Sequence, residues 1–161
     1  MLKCFIDTET TGLNATLHSV HQVAAILLDS DDKEVDRINL YFKPKGETYS
    51  NQALEKTRLT HDELYSRELS SDEGHKQFIE WLDKYVNKYD KKDKMQFIAW
   101  NSPFDEGFTR AWFDKAAGDT AWYGSYFWNP SICLAKVAAW YLMEERPNLI
   151  SGKLRDTCQY A

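Results

Sequence analysis

The chain has 161 residues, of which 43% are hydrophobic and 14% aromatic; that excludes a disordered chain and leaves enough length for one domain with a buried core. A formal net charge of −5 excludes nucleic-acid binding through overall basicity. It does not exclude a site where metal ions screen phosphates from protein carboxylates. Three widely spaced cysteines, Cys4, Cys133 and Cys158, make neither a disulfide framework nor a C-x-x-C metal site, so a reducing, cytoplasmic setting is expected. No apolar run approaches the ~20 residues of a membrane span, and Asp7 comes too early for a secretory leader.

In chain order, "LKCFI" (2–6) reads as a short apolar strand, followed by "VHQVAAILLD" (20–29) and "VDRINLYFKP" (35–44). The acidic turn Asp29 to Glu34 separates the last two, so the spacing predicts a three-stranded antiparallel meander. A polar stretch (45–64) is expected to be loop with short helical turns. Phe78, Leu82, Tyr85, Val86 and Tyr89 recur at helical spacing and predict an amphipathic helix over 72–89. "MQFIAW" (95–100) reads as a fourth, fully buried strand. A helix follows, with Ser102 as cap, Pro103 in the first turn, and Phe104, Phe108, Ala111 and Trp112 on one face. Gly118 is its expected stop. A fifth strand around Tyr126 to Trp128 and helices near 131–145 and 152–161 complete an α/β mixed sheet with helices packed on its faces.

The stretch "FIDTETTGL" (5–13) places Asp7 and Glu9 two residues apart after the first apolar run. Side chains alternate along a strand, so both carboxylates point to one side if the strand continues through them. Two like charges a few ångströms apart repel, and no Lys or Arg lies in the segment to offset them. A divalent cation with a preference for hard oxygen ligands, Mg²⁺ or Mn²⁺, answers that problem; a solvated strand end is the plainer alternative. "AWNSPFDEGF" (99–108) repeats the pattern, with Asp105 just past a buried strand in the first turn of a helix, where the dipole stabilises a carboxylate. If the two strands are neighbours, Asp7, Glu9 and Asp105 converge. Acids around two ions roughly 3.5–4 Å apart suit phosphoryl chemistry.

These two stretches resemble the first and second motifs of the DEDD 3′→5′ exonuclease superfamily, which includes proofreading exonucleases, ribonuclease T and oligoribonuclease. "LTHDEL" (59–64) stands where members often carry a similar stretch. The resemblance implies a ribonuclease-H-like fold and hydrolysis at the 3′ ends of single-stranded DNA or short RNA with two divalent cations. It implies that Asp7 bridges both metals, Glu9 ligates one, and Asp105 holds the second. Backbone N–H groups around Thr10, Thr11 and Gly12 would contact the 3′-terminal nucleotide. Leu13 would pack against its base, Asn101 would orient substrate or Asp105, and Phe104 would pack beneath the site.

The family's third motif, H-x₄-D or Y-x₃-D, is expected to supply a fourth acid and a general base. His75 with Glu80 and Tyr89 with Asp93 both precede the second motif. Tyr141 with Glu145 carries Glu for Asp, and Asp156 has no His or Tyr four or five residues earlier. Residues 1–161 are therefore expected to be a single exonuclease-like domain that stops ahead of this motif. The alternative is a catalytically incomplete module that binds nucleic-acid ends or a polymerase partner. His18 and His21 are expected in surface or core roles, and His61 in a turn. The aromatics of "WYGSYFWNP" (122–130) are expected to pack rather than to stack on bases.

Overall fold

The computed structural model describes residues 1–116, 122–149 and 151–158. Strand β1, Lys3–Thr10, is rich in aromatic and β-branched residues and alternates strictly, with Cys4, Ile6, Thr8 and Thr10 buried. It pairs antiparallel with β2, Val20–Leu28, which pairs antiparallel with β3, Glu34–Tyr41. The acidic turn between β2 and β3 closes on Asp29, whose carboxylate accepts the N–H groups of Asp31 and Lys33. The expected meander is thus observed. β1 runs on to Thr10, past the apolar run, and so carries both carboxylates within the sheet.

A short helix α1, Asn51–Thr57, is capped by Ser50 and ends at Arg58 in the left-handed region. Helices α2, His61–Tyr65, and α3, Ser71–Leu82, each begin with a capping box, Thr60 with Glu63 and Ser70 with Glu73. α3 is shorter than the spacing predicts. Beyond Leu82 the chain breaks into turns, where the Tyr85 hydroxyl, like the Trp81 indole N–H in the helix, donates to Asp36 on β3, at 2.7 and 2.8 Å. Tyr85 and Val86 still pack on the core, but from turns rather than from a helix.

Strand β4, Gln96–Ala99, lies parallel to β1 over Lys3 to Phe5 only. Helix α4, Ser102–Ala116, follows at once. Ser102 does not cap it: its hydroxyl is bonded to that of Ser131, and the Asn101 carbonyl accepts the Phe104 N–H. Gly118 lies outside the described residues. The fifth strand is displaced from 126–128. Tyr123–Tyr126 forms a helical turn, α5, and Phe127 makes a single bridge to Met95. Tyr123, Tyr126 and Phe127 all enter the core, a spacing only a helical turn can serve, whereas Trp122 is exposed. The true edge strand β5, Ile132–Cys133, pairs parallel with β4. Helices α6, Leu134–Tyr141, and α7, Leu154–Thr157, follow.

The sheet order is β3-β2-β1-β4-β5. Helices α3 and α4 pack against each other and against the face that carries Ile6, Val23, Ala25 and Leu27. Phe42 stacks on Trp112 of α4 at 4.8 Å and 10°. His21 and His75 are core residues, and burial pulls both down to about 4. The contact of α3 with the Phe42 ring leaves no room at Gly74, where an added Cβ would lie 2.6 Å from Phe42 Cδ1; at Gly107 of α4 nothing lies within 4 Å.

This contrast predicts opposite signs for one substitution. Gly74→Ala is expected to lower stability by roughly 1–3 kcal/mol through overpacking. Gly107→Ala is expected to raise it by up to about 1 kcal/mol through helix propensity. Urea midpoints of the two variants check this.

Candidate active site

Strand alternation places Asp7 and Glu9 together on the exposed side of β1, opposite buried Thr8 and Thr10. A register shift falls between Glu9 and Thr10, the kind of irregularity that re-aims side chains beside sites. Neither carboxylate forms a hydrogen bond or salt bridge among the described residues. Burial of the strand end raises the pKa of Asp7. It raises that of Glu9 too, where the Asp7 charge adds and Lys56 opposes.

Because β4 accompanies β1 only as far as Phe5, the Thr8 N–H has no strand beside it on that edge. Asp105, in the first turn of α4, takes the place of the missing carbonyl. One carboxylate oxygen, Oδ1, accepts the Thr8 N–H at 3.0 Å and the Thr8 hydroxyl at 2.9 Å. Asp105 is only 5% exposed. Burial pushes its pKa up to about 6; the Thr8 hydroxyl pulls it down and the Asp7 charge raises it. Asp7 is thus coupled electrostatically to both other acids.

The expected convergence is incomplete in one respect. Among the described residues, no group of three or more His, Cys, Asp or Glu side chains is placed to hold a metal ion. Asp105 is committed to Thr8, and unscreened carboxylates do not crowd closer together. The donor set still fits a hard divalent cation: it is all carboxylate oxygen, and neither Asp7 nor Glu9 is tied up in a salt bridge among the described residues.

Beside Glu9 lies a shallow pocket. Its floor comes from Thr8, Thr10, Gly12 and Leu13, its wall from Ser50, Ala53, Lys56 and Thr57 of the α1 region, and its edge from Phe104. Leu13 is 73% exposed at the rim, and the Asn101 side chain is exposed and without a hydrogen bond. Thr10 Oγ1 donates to the Gly12 carbonyl at 2.6 Å. A Cβ on Gly12 would lie 2.3 Å from the His18 ring, so a larger residue here has to displace that side chain.

Thr11 departs from the expectation of a substrate contact. It is fully buried, and its N–H donates to the Ser19 carbonyl at 2.9 Å. Its hydroxyl donates to the Thr48 carbonyl at 2.8 Å, and its own carbonyl accepts the Ser50 N–H at 2.7 Å. No group of Thr11 is left for a ligand; it ties the carboxylate loop to α1. Lys56, Ala53 and Thr57 were not singled out from the sequence, because only the docking of α1 brings them to Glu9. The S-x-x-A start of α1 is the signal that could have located that helix.

None of the substitutes for the third motif lines this pocket. His75 is wedged edge-on between Trp112 and Phe113. The Asp93 carboxylate accepts the Asn87 N–H in a surface turn, Tyr141 is exposed at the end of α6, and Asp156 accepts the Ser151 hydroxyl.

A β3-β2-β1-β4-β5 sheet with acids at the end of β1 and in the first turn of α4 defines an α/β protein with an acidic site at the end of its central strand. The model of the exonuclease family (RNase_T) matches residues 4–137, and the chain belongs to that family. It is 26% identical over 114 residues to the 3′-5′ DNA exonuclease Cap18 of Escherichia coli, covering 71% of this chain and 58% of that protein. It is 30% identical over 110 residues to a PolC-type DNA polymerase III of Bacillus cereus, covering 68% of this chain and 7% of that protein. Among solved structures, the zinc-bound E. coli exonuclease I–ssDNA complex matches with a TM-score of 0.71 at 22% identity, over 95% of this chain and 33% of that one. A complex of exonuclease I with SSB-Ct matches at 0.67 and 22%, over 89% and 31%. At this identity the structures establish the fold alone. The chain spans just over half of the Cap18 relative and about a third of exonuclease I.

The raised value of Asp105 makes stability pH-dependent. A carboxyl whose folded-state value, about 6, exceeds its unfolded value destabilises the fold when charged. The penalty is complete above pH 6 and disappears as pH falls towards 4. In metal-free protein, Asp105→Asn is expected to gain on the order of 2–3 kcal/mol over wild type at pH 7.5, and to keep only about a third of that at pH 4.5. Equal gaps in urea unfolding at the two pH values would contradict the assignment.

Proposed function

We propose that residues 1–161 act as one exonuclease-like domain of a metal-dependent 3′→5′ exonuclease that hydrolyses phosphodiester bonds at the 3′ ends of single-stranded DNA or short RNA. The observation that carries this is the pair of unpartnered carboxylates, Asp7 and Glu9, on the open side of β1. Asp105 is clamped to the residue between them, and a pocket opens beside Glu9. Family membership and the similarity to a 3′-5′ DNA exonuclease support it.

Asp7, Glu9 and Asp105 would hold two divalent cations, Mg²⁺ or Mn²⁺. Bound there, such ions lower the pKa of an attacking water and stabilise the leaving oxygen. The remaining residues position the strand. Leu13 at the rim packs on the terminal base, with Phe104 at the edge of the same pocket. Thr10 and Gly12 shape the turn on which that nucleotide rests. Lys56 meets the phosphate charge, and Asn101 orients the strand from the start of α4. Thr8 acts through Asp105, fixing one of its carboxylate oxygens with two hydrogen bonds. The three unpaired cysteines agree with a cytoplasmic location, and no helix among the described residues is long and apolar enough to cross a membrane. A polymerase or another protein partner is part of this reading, supported by the PolC match and by the exonuclease I complex with SSB-Ct.

One observation favours a second reading. No His- or Tyr-acid pair among the described residues stands beside the pocket to serve as general base, assistance typically worth 10²–10⁴-fold. A module that binds 3′ ends without turning them over would share this architecture.

Labelled at the 5′ end, single-stranded DNA and RNA are expected to give a 3′-shortening ladder with Mg²⁺ or Mn²⁺ and none in EDTA. Asp7→Ala is expected to remove the ladder, a loss well beyond the 10–100-fold typical of an outer-shell metal partner. An undiminished ladder from Asp7→Ala would overturn the assignment. Binding without a ladder under either metal would establish the second reading.

A further inference from the structure

Three aromatic rings form a column outside the core. The His61 ring stacks on Tyr65 at 4.4 Å and 26°, and Tyr49 leans on His61 at 5.2 Å and 49°. None of the three belongs to the hydrophobic core, and Tyr49 is 40% exposed. The column is anchored from below, since the Tyr65 hydroxyl donates to the Gly46 carbonyl at 3.0 Å. Its upper ring is fixed relative to the carboxylates. Thr48 and Ser50, the neighbours of Tyr49, are both hydrogen-bonded to Thr11, two residues from Glu9. Ser50 also lines the pocket, so the Tyr49 backbone stands one residue, ~3.8 Å, from the pocket wall.

Charge runs the same way. Lys56 on the pocket wall and Arg58 at the end of α1 are exposed and make no salt bridge among the described residues. Of the acids beside the column, Glu47 lies near Tyr65 and Asp62 pairs with His61 at 3.2 Å. Lys56 and Arg58 therefore leave unpaired positive charge on the α1 side for a phosphate chain.

We propose that Tyr49, His61 and Tyr65 form a second nucleotide station, on which an unpaired base upstream of the 3′ end stacks while Lys56 and Arg58 hold the intervening phosphates. Tyr49 presents the open ring face, with His61 and Tyr65 as its rigid backing. The ligand is single-stranded, because a base in a duplex has no free face to offer. Every base has a π-face, so the station reads strand length and not sequence. The inference rests on the exonuclease reading, and it adds a reason for that enzyme to prefer strands longer than the terminal nucleotides.

The test is the ratio of affinities for 5′-labelled dT8 and dT2, measured by fluorescence anisotropy in EDTA. Wild type is expected to hold dT8 more tightly than dT2. Tyr49→Leu keeps apolar bulk but removes the π-face and is expected to lower that ratio about fivefold or more, whereas Tyr49→Phe is expected to retain it. His61→Ala, which withdraws the backing ring, is expected to lower it as well. A Tyr49→Leu ratio equal to that of wild type overturns the station, whether both affinities are kept or both fall together. If wild type binds neither oligonucleotide, the station falls, and the exonuclease reading falls with it where the 3′-shortening ladder with Mg²⁺ or Mn²⁺ is absent too; a ladder together with an unaltered ratio sinks the station alone.

Discussion

The bond between Asp105 and Thr8 is the constraint on which the site depends. It arises from a mismatch of lengths: β1 has eight residues, and its parallel neighbour β4 covers only the first three. The exposed edge of β1 beyond Phe5 must find acceptors elsewhere, since an unpaired N–H at 6% residue exposure is costly. A carboxylate in the first turn of the helix that follows β4 meets that need for Thr8. The same bond sets the distance of α4 from the strand end and aligns the two acid-bearing segments, which are 97 positions apart in sequence.

What the arrangement gains in geometry it gives up in stability. Three carboxylates lie at one strand end, and all three have their pKa raised by burial, with no salt bridge to offset the charge. A protein selected for stability alone would have amides or apolar residues at these positions. Frustration of this kind, a local cost that the Thr8 hydrogen bonds and the Lys56 charge offset only in part, is what a site for cations and phosphate looks like before the ligand arrives.

Thr11 performs the second act of organisation. With its N–H, carbonyl and hydroxyl all bonded to other segments, it links the carboxylate loop to Ser19, Thr48 and Ser50. The loop is held again from α4, where the Lys115 ammonium donates to the carbonyls of Ala15 and His18. Through Thr11 the short helix α1 becomes the pocket wall, and the aromatic column behind it acquires a defined relation to the acids. A residue that reads as a ligand contact thus serves as the joint on which the contacting surfaces are mounted.

Much of this was legible along the chain. The meander, the fourth strand and the helix after it followed from alternation and from helical spacing, because each buries one face. The pairing of Asp7 with Glu9 followed from the two-residue period of a strand. Other features were decided elsewhere. α3 ends at Leu82, and Tyr85 beyond it bonds from a turn to Asp36, 49 positions away. The segment at 126–128 is not a strand because Tyr123, Tyr126 and Phe127 fill the core from a helical turn. Thr11 is spent internally because Ser19, Thr48 and Ser50 surround it, and no spacing rule announces that. The sequence by itself determined which residues carry charge, which faces turn inward and which motifs stand at strand ends, since those depend on neighbours along the chain. Only the tertiary structure decided which acid meets which amide and which helix walls the pocket, since those bonds join segments that meet only when the sheet and its helices are assembled.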